Sequence, residues 1–208
     1  MSGGSPVPAA DELSRVAAQI KRLLLTAETQ GAREAFANIV RLEQRRASRL
    51  AYYVLRNAAD ADEAVQDAFV KVYGHLGSYR EEIPFEIWFT RILINGCLDR
   101  RKARQRRERW TSDGLGYDRE MDGRRASHAA VASGPTPEQR VLSQERHRQI
   151  GAAVQKLPER QRLVFLLSQY DGRTPQEISV LTGLNESTIR VHLFRALRKL
   201  RSSLEGLL

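Results

Sequence analysis

Guanidinium groups recur near the end of the chain, at Arg190, Arg195, Arg198 and Arg201. Apolar residues between them recur at steps of three and four, which is the spacing of one helix face. A helix over 186–203 would therefore hold the cations on its outward side. Planar guanidiniums suit phosphate groups and the edge of guanine. The pattern favours a helix that contacts nucleic acid over a merely solvated basic helix.

A second short helix is predicted just before it, over 175–182. Gly183 tolerates the left-handed backbone that ends such a helix, and Asn185 suits the cap of the next one. Two helices joined by this turn form a helix-turn-helix, with the cationic helix placed to enter a DNA major groove. The residues predicted to be buried between the two helices are Ile178, Leu181, Leu184, Ile189, Leu193, Leu197 and Leu200.

Four aromatic residues precede a second cationic run. Tyr79, Phe85, Trp88 and Phe89 come shortly before residues 100–109, which are rich in arginine. Exposed rings beside cations suit single-stranded DNA, because rings stack on unpaired bases while arginines follow the backbone. The alternative is that the rings are core residues at helical spacing. Tyr79 is the stronger candidate for a base contact because its neighbours form a polar loop.

Acidic residues open another predicted helix, over 60–76. Asp60, Asp62, Glu63 and Asp67 lie beside an apolar stripe. In a chain of net charge +9, such a patch would repel phosphate but dock on a cationic protein surface. The alternative is an ordinary helix whose acids complement its dipole. Both interpretations remain open at this point.

Composition and motifs exclude several classes of protein. The 41% hydrophobic content supports folded domains, and the positive charge favours a polyanionic partner. No run approaches the roughly 18 apolar residues that span a bilayer, and no signal-peptide pattern opens the chain. We therefore expect a soluble cytoplasmic protein without membrane insertion.

Motifs for catalysis or metal binding are missing from the sequence. The four histidines lack metal-ligand spacing, and no phosphate loop or nucleophile motif is present. The single cysteine, Cys97, lies in an apolar helical run, which favours a reduced packing residue. We expect no enzyme activity, no cofactor and no metal.

Helical periodicity predicts an all-α fold of two small helical domains joined by a flexible linker. Asp60 is the predicted cap of one helix, and Pro84 suits the first turn of the next. The glycines, prolines and acids of 110–137 indicate the linker. The predicted helices lie near 11–26, 33–57, 60–76 and 84–103, and then at 138–156, 159–170, 175–182 and 186–203.

The order and spacing of these blocks resemble a bacterial sigma factor of the sigma-70 family, of the extracytoplasmic-function type (group IV). Residues 61–73 and the run Phe-Glu-Ile-Trp-Phe-Thr-Arg-Ile-Leu-Ile-Asn-Gly-Cys-Leu-Asp-Arg-Arg at 85–101 resemble region 2, and the helix-turn-helix resembles region 4. The resemblance implies an alternative sigma factor that binds core RNA polymerase and directs promoter-specific transcription initiation. The implied domains are an amino-terminal extension at 1–32, region 2 at 33–109, the linker at 110–137 and region 4 at 138–208.

The resemblance also implies partners. The acidic helix would face the β′ coiled coil of core RNA polymerase, region 4 would meet the β flap, and an anti-sigma factor would hold the protein inactive. The extension at 1–32 would either lengthen the first helix of region 2 or add a docking surface for a regulator. The implied polymerase-binding residues are Asp62, Glu63, Gln66, Asp67 and Val70.

Two DNA elements are implied as well. The loop at 78–85 would capture a base flipped out of the minus-ten element, and the second helix of the helix-turn-helix would read the minus-thirty-five element. The implied minus-ten residues are Tyr79, Arg80, Phe85, Trp88, Asn95, Arg100, Arg101, Lys102 and Arg104. The implied minus-thirty-five residues are Ser187, Thr188, Arg190, Val191, His192, Phe194 and Arg195.

The alternative is a helix-turn-helix transcription regulator of the two-component output type. The run Ser-Thr-Ile-Arg-Val-His-Leu at 187–193 resembles the recognition helix of that group too. Such a regulator needs a receiver domain, usually α/β, and residues 1–137 show no strand pattern that would build one. Many sigma relatives carry Ser-Arg where this chain has Val191 and His192, so the DNA sequence it prefers stays open.

Overall fold

The computed structural model of the chain describes residues 8–112 and 148–205. Every regular element in these two ranges is helical, which confirms the all-α prediction. The helices fall into two compact units. The first contains α1 (Pro8–Leu25), α2 (Thr29–Leu55), α3 (Ala58–His75), a short 3-10 turn (Leu76–Ser78) and α4 (Phe85–Ser112).

The second unit consists mostly of helices that are shorter than those of the first unit. Its last two helices match the bounds predicted at 175–182 and 186–203 to within one residue. The linker predicted at 110–137 and the start of the helix predicted at 138–156 lie largely outside the described residues. The helices of this part are α5 (described over 148–155), α6 (Glu159–Phe165) with a π-helical continuation (Leu166–Tyr170), α7 (Pro175–Thr182) and α8 (Glu186–Leu204).

Helix α1 packs inside the first unit. Its apolar residues Leu13, Ala17 and Ile20 are at most 2% exposed, because their spacing places them on one face that meets α2 and α4. Ala27, with φ of 61°, breaks the backbone between α1 and α2. The amino-terminal segment is therefore a separate helix of the bundle and does not lengthen α2.

Aromatic rings fill the centre of the first unit. Phe69 of α3 stacks on Phe89 of α4 with ring centroids 5.0 Å apart, and Phe36 of α2 meets Phe69 edge-on. Cys97 is fully buried in α4 and has no disulfide. Burial of each phenyl ring stabilises the unit by about 1.5 to 3 kcal/mol, so these contacts hold α2, α3 and α4 together.

The predicted helix starts in the first unit are wrong by one to four residues. Asn57, and not Asp60, caps α3, because its side-chain oxygen accepts a hydrogen bond from the Asp60 backbone N–H at 2.9 Å. Helix α4 begins at Phe85, so Pro84 precedes the first turn instead of forming part of it. The Pro84 carbonyl accepts hydrogen bonds from the backbone N–H groups of Ile87 and Trp88.

The turn between α7 and α8 is confirmed. Gly183 has φ of 72°, the left-handed conformation that favours glycine. Asn185 caps α8, and its side-chain oxygen accepts a hydrogen bond from the Thr188 backbone N–H at 2.8 Å. A reciprocal capping box, which was not predicted, starts α7: Thr174 and Glu177 each accept a hydrogen bond from the other's backbone N–H.

The apolar stripe of the helix-turn-helix is confirmed except at Leu197. Ile178, Leu181, Ile189 and Leu200 are buried, with Leu184 and Leu193 half-buried. Leu197 is 45% exposed, and Ala196 is buried in its place. On a helix with 3.6 residues per turn, Ala196 lies closer than Leu197 to the face shared by Ile189 and Leu200.

Neither described range contains an α/β receiver domain, because residues 8–112 and 148–205 hold helices and no strands. The regulator alternative therefore lacks its second domain in the part of the chain that the structure describes. None of the helices in these ranges combines the length and apolar character needed to cross a membrane.

Candidate nucleic-acid interfaces

Helix α8 presents a mixed cationic and apolar face to solvent. Arg190 has a side chain 70% exposed and pairs with Glu186, one turn away on the same helix, at 3.3 Å. Arg195 is exposed beside Phe194, which is 65% exposed, and Val191, which is 46% exposed. Guanidiniums can bond guanine or phosphate, while apolar side chains can touch thymine methyl groups. The face has the chemistry required for reading a major groove.

The remaining candidates on α8 differ in exposure. Ser187 is exposed, and its hydroxyl donates to the Asn185 side-chain oxygen at 2.9 Å, whereas Thr188 is half-buried in the first turn. His192 is half-buried, and its Nδ1 is enclosed without a hydrogen-bond partner. Desolvation, followed by the nearby charges of Arg160 and Arg195, lowers the pKa of His192. His192 is therefore neutral and lies at the margin of the exposed face.

Tyr79 is buried, against the expectation of an exposed ring. It is 1% exposed, and its phenol donates a 2.6 Å hydrogen bond to the Ile83 carbonyl. That bond satisfies the polar end of the ring, so a tyrosine in a polar loop can still join the core. Burial is the main reason that the pKa of Tyr79 is raised. The ring has no free face for a base in this conformation.

The core interpretation also holds for two of the other aromatics. Phe85 and Phe89 are fully buried, and their rings stack with centroids 6.2 Å apart. Trp88 is half-buried, with its ring centroid 5.0 Å from that of Tyr79. The four rings form one cluster that anchors the start of α4, and Trp88 is the member with part of its surface in solvent.

Polar residues line the outside of the loop and of α4. Arg80 is exposed on the loop, and Asn95 and Lys102 are exposed on α4, while Arg101 is half-buried. Lys102 lies 3.9 Å from Asp99 one turn away, a weak surface pair. The structure thus leaves cations and an amide, rather than aromatic rings, on the accessible side of this region.

Helix α3 carries an exposed acidic surface, which we define as Asp62, Glu63, Gln66, Asp67 and Val70. These residues recur at steps of three and four and share one side of the helix. All are exposed, and Val70 is 73% exposed. Carboxylates repel the phosphates of DNA, so this surface favours a cationic protein partner.

Cations of α4 pair with carboxylates of α3, including two of that acidic surface. The guanidinium of Arg100 donates to Glu63 at 2.6 Å and to Asp67 at 2.5 Å, and these bonds raise its pKa. Arg104 reaches Asp60 at 3.5 Å and Glu108 at 2.8 Å. The predicted polymerase-binding and strand-following residues therefore touch each other across α3 and α4.

A groove of about 360 Å³ runs between α3 and α4. Small residues, including Ala64, Ala68 and Gly96, line its floor, and the pair Arg100 and Asp67 lies at its side. Small side chains allow the two helices to approach closely, which explains why the charges meet. No group of three His, Cys, Asp or Glu side chains in the described ranges could hold a metal ion.

Two functional candidates were missed in the sequence. The Ser14 hydroxyl accepts a hydrogen bond from the Phe85 backbone N–H at 3.1 Å, and Lys21 donates to the Tyr79 carbonyl at 3.0 Å. Ser14 and Lys21 are seven residues apart, so both lie on one face of α1. This spacing was the only available signal, and it does not say which loop the face contacts.

Comparisons with known proteins identify the family of both units. The family "Sigma-70 region 2" matches residues 39–107, and "Sigma-70, region 4" matches residues 147–200. The chain is 28% identical over 178 residues to the ECF RNA polymerase sigma factor SigW of Bacillus subtilis, covering 86% of this chain and 93% of that protein. It is 29% identical over 170 residues to the ECF RNA polymerase sigma-E factor of Escherichia coli K12, covering 82% and 86%.

Solved structures show the same fold. CnrH, in complex with the cytosolic domain of CnrY, superposes with a TM-score of 0.62 at 20% identity, covering 94% of this chain and 98% of that one. RpoE from Bartonella quintana, in complex with the anti-sigma factor NepR, gives a TM-score of 0.63 at 20% identity, covering 82% and 96%. With both regions matched in the predicted order, the chain belongs to the sigma-70 family and is a sigma factor of the extracytoplasmic-function type.

Proposed function

We propose that this sigma factor divides promoter recognition between its two units, with the exposed face of α8 reading the minus-thirty-five element. The observation that carries the proposal is the outward position of Arg190, Val191, Phe194 and Arg195 on one helix whose other face is buried. A fixed apolar face sets the rotation of the helix, so the same four side chains always point to the groove. Ser187, Thr188 and His192 lie at its margins.

The loop after the 3-10 turn and the outer side of α4 contact the minus-ten element in this proposal. Arg80, Asn95, Arg101 and Lys102 offer hydrogen bonds to an unpaired strand, and the exposed part of Trp88 offers a stacking surface. The buried rings of Tyr79 and Phe85 give this site its shape from beneath. Arg100 and Arg104 join the strand contacts when they leave their carboxylate partners.

Docking on core RNA polymerase is assigned to the acidic surface of α3. Its carboxylates match a cationic partner, and Val70 provides apolar contact area at the same place. The β′ coiled coil is the proposed partner there, and the β flap is the proposed partner of region 4. The protein would guide initiation by binding alone, with no chemical step of its own, in the cytoplasm where RNA polymerase transcribes.

A regulatory protein partner is also proposed. One solved relative was captured with an anti-sigma factor and another with the cytosolic domain of a second protein. The acidic surface of α3 and the apolar residues of α8 would be available to such a partner in the free protein. An anti-sigma factor covering either surface would compete directly with polymerase or promoter DNA.

Selection from genomic DNA tests the proposed function. Core RNA polymerase is incubated with genomic fragments, with and without this protein, and the bound fragments are sequenced. We expect protein-dependent fragments that share two elements at a fixed spacing. Identical fragments in both samples would contradict the proposal, and so would enrichment by the protein alone with no need for polymerase.

A further inference from the structure

Helix α1 fastens both ends of the loop at 79–84. At the start of the loop, the Lys21 ammonium donates to the Tyr79 carbonyl at 3.0 Å and lies 3.5 Å from a Glu81 carboxylate oxygen. At the end of the loop, the Ser14 hydroxyl accepts from the Phe85 backbone N–H at 3.1 Å. One face of a single helix therefore contacts the loop at three points.

The Ser14 contact acts as a helix cap supplied by another helix. The first N–H groups of a helix have no partner within it, and a capping oxygen usually comes from the residue just before. Pro84 occupies that position here and has no side-chain acceptor, so the Ser14 hydroxyl of α1 meets the Phe85 N–H instead. The direction in which α4 leaves the loop thus depends on α1.

The loop is also braced from within. Ile83 donates its N–H to the Arg80 carbonyl at 3.3 Å, which closes a turn, and the Tyr79 phenol bonds the Ile83 carbonyl at 2.6 Å. The side chains of Arg80 and Glu82 remain exposed on the outer side of that turn. The inner side is held by the core and by α1, and the outer side is presented to solvent.

We propose that Ser14 and Lys21 are positioning residues for base selection in the minus-ten element, because they hold the loop in the shape that receives an unstacked base. The inference rests on the proposed function of the loop. It assigns a role to α1, which lies outside the matched residues 39–107. The Lys21 side chain is 26% exposed, and its ammonium is already engaged by the loop, so it acts through the loop and not on DNA.

Four variants distinguish a positioning role of Ser14 and Lys21 from a general effect of charge on α1. Lys21→Met keeps an unbranched apolar stem and removes the ammonium, whereas Lys21→Arg keeps a donor and a cation. Arg22→Met removes the same charge from the exposed neighbour on α1. Ser14→Ala removes the capping oxygen with little change in volume. Thermal unfolding of each full-length variant reports whether the bundle still folds.

The experiment measures base preference with core RNA polymerase. Each variant holoenzyme transcribes a pool of promoters in which the minus-ten element is randomised and the minus-thirty-five element is fixed; a second pool reverses the arrangement. With Lys21→Met or Ser14→Ala we expect preference at one or two minus-ten positions to fall about five- to tenfold, as for the loss of one ordinary hydrogen bond. Preference in the minus-thirty-five pool stays unchanged.

The controls decide among the outcomes. Lys21→Arg should restore most of the minus-ten preference, and Arg22→Met should match the wild type. A uniform drop in transcription with unchanged base preference would overturn the inference, because a purely structural role lowers output on every promoter alike. A wild-type holoenzyme with no minus-ten preference would instead overturn the proposed function on which the inference rests.

Discussion

Arg100 of α4 and Asp67 of α3 form an ion pair with N and O atoms 2.5 Å apart, and the same guanidinium holds Glu63 at 2.6 Å. The pair joins a residue proposed to follow the DNA strand to two residues proposed to meet polymerase. Because a partner that binds the carboxylates competes with Arg100, docking on polymerase would release this cation for DNA. Two hydrogen bonds from one guanidinium make this contact strong for a surface ion pair. Because the pair is exposed to solvent, its net stabilisation is still small enough for a binding partner to displace Arg100.

Charge reversal on α3 tests the docking surface. Asp67→Lys should weaken binding to core RNA polymerase by about 1 to 2 kcal/mol, because it places like charges at the contact and also frees Arg100. Asp62→Lys changes the same exposed surface without touching Arg100 and should weaken binding to a similar extent. Affinity is measured by fluorescence titration of labelled protein with core polymerase at two salt concentrations. Wild-type affinity for both variants would contradict the docking assignment.

Arginine removal on α8 tests the groove contacts. Arg190→Ala and Arg195→Ala should each reduce transcription from promoters with the cognate minus-thirty-five element, through lost contacts worth about 1 to 3 kcal/mol. Affinity for core polymerase should not change. Lys156→Ala removes one exposed charge elsewhere in the second unit and serves as the control. Unchanged promoter output in both α8 variants would refute the assignment of α8 as the recognition helix.

Substitutions of Tyr79 test whether its buried ring stabilises the first unit. Tyr79→Ala leaves a cavity beneath the loop and should destabilise the first unit by about 3 to 5 kcal/mol, as for other buried aromatics. Tyr79→Phe removes only the hydrogen bond to the Ile83 carbonyl and should lower stability by about 1 kcal/mol. Circular dichroism during thermal unfolding measures both changes.

Transcription from duplex and from pre-melted promoters distinguishes structural support by Tyr79 from direct stacking of its ring on a base. A support residue is needed on duplex and pre-melted promoters alike, so Tyr79→Ala should lower transcription on both. A selective loss on duplex templates, with wild-type stability, would show that the ring leaves the core and captures the strand itself.

Local signals explain which parts of the fold were predictable. Gly183, Asn185 and the spacing from Ile178 to Leu200 act within a few residues of each other, and the sequence placed α7 and α8 nearly residue for residue. Leu197 was misplaced because an apolar residue beside the stripe looks much like one within it. Ala196 carries too small a side chain to mark a buried position on its own.

Long-range contacts explain which parts were not predictable. Phe85 and Ser14 are 71 positions apart, and Arg100 and Asp67 are 33 apart, so no local pattern reports that they meet. The burial of Tyr79 was not predicted for a related reason. Its polar neighbours favoured exposure, whereas the hydrogen bond from its phenol to Ile83 allows burial, and that bond depends on the turn of the loop.

Acidification should destabilise the second unit through His192. Desolvation is the main reason that the pKa of His192 lies below its usual value of 6.5. The unfolded chain then binds more protons than the folded chain, so the stabilisation is complete above pH 6.5 and is lost as the pH falls through the folded-state pKa. Proton NMR of the full chain, with His192→Gln to assign the ring resonance, follows the titration. A midpoint at or above 6.5 would contradict the enclosed ring.

Cys97 should be chemically inert in the folded protein. Burial raises the pKa of its thiol to about 12, so almost no thiolate is present near pH 8. Iodoacetamide should label the native protein far more slowly than the urea-unfolded protein, as measured by mass spectrometry. Equal labelling rates in both states would show that the thiol is accessible and would contradict its role as a buried packing residue.

Transcription in vitro measures directly whether this protein directs core RNA polymerase to promoters. Purified core RNA polymerase is given a genomic promoter library, with and without this protein, and the 5′ ends of the transcripts are mapped. We expect new start sites that depend on the protein and share minus-ten and minus-thirty-five elements at a fixed spacing. Start sites that are the same in both reactions, with a protein that binds duplex DNA tightly by itself, would contradict a sigma factor.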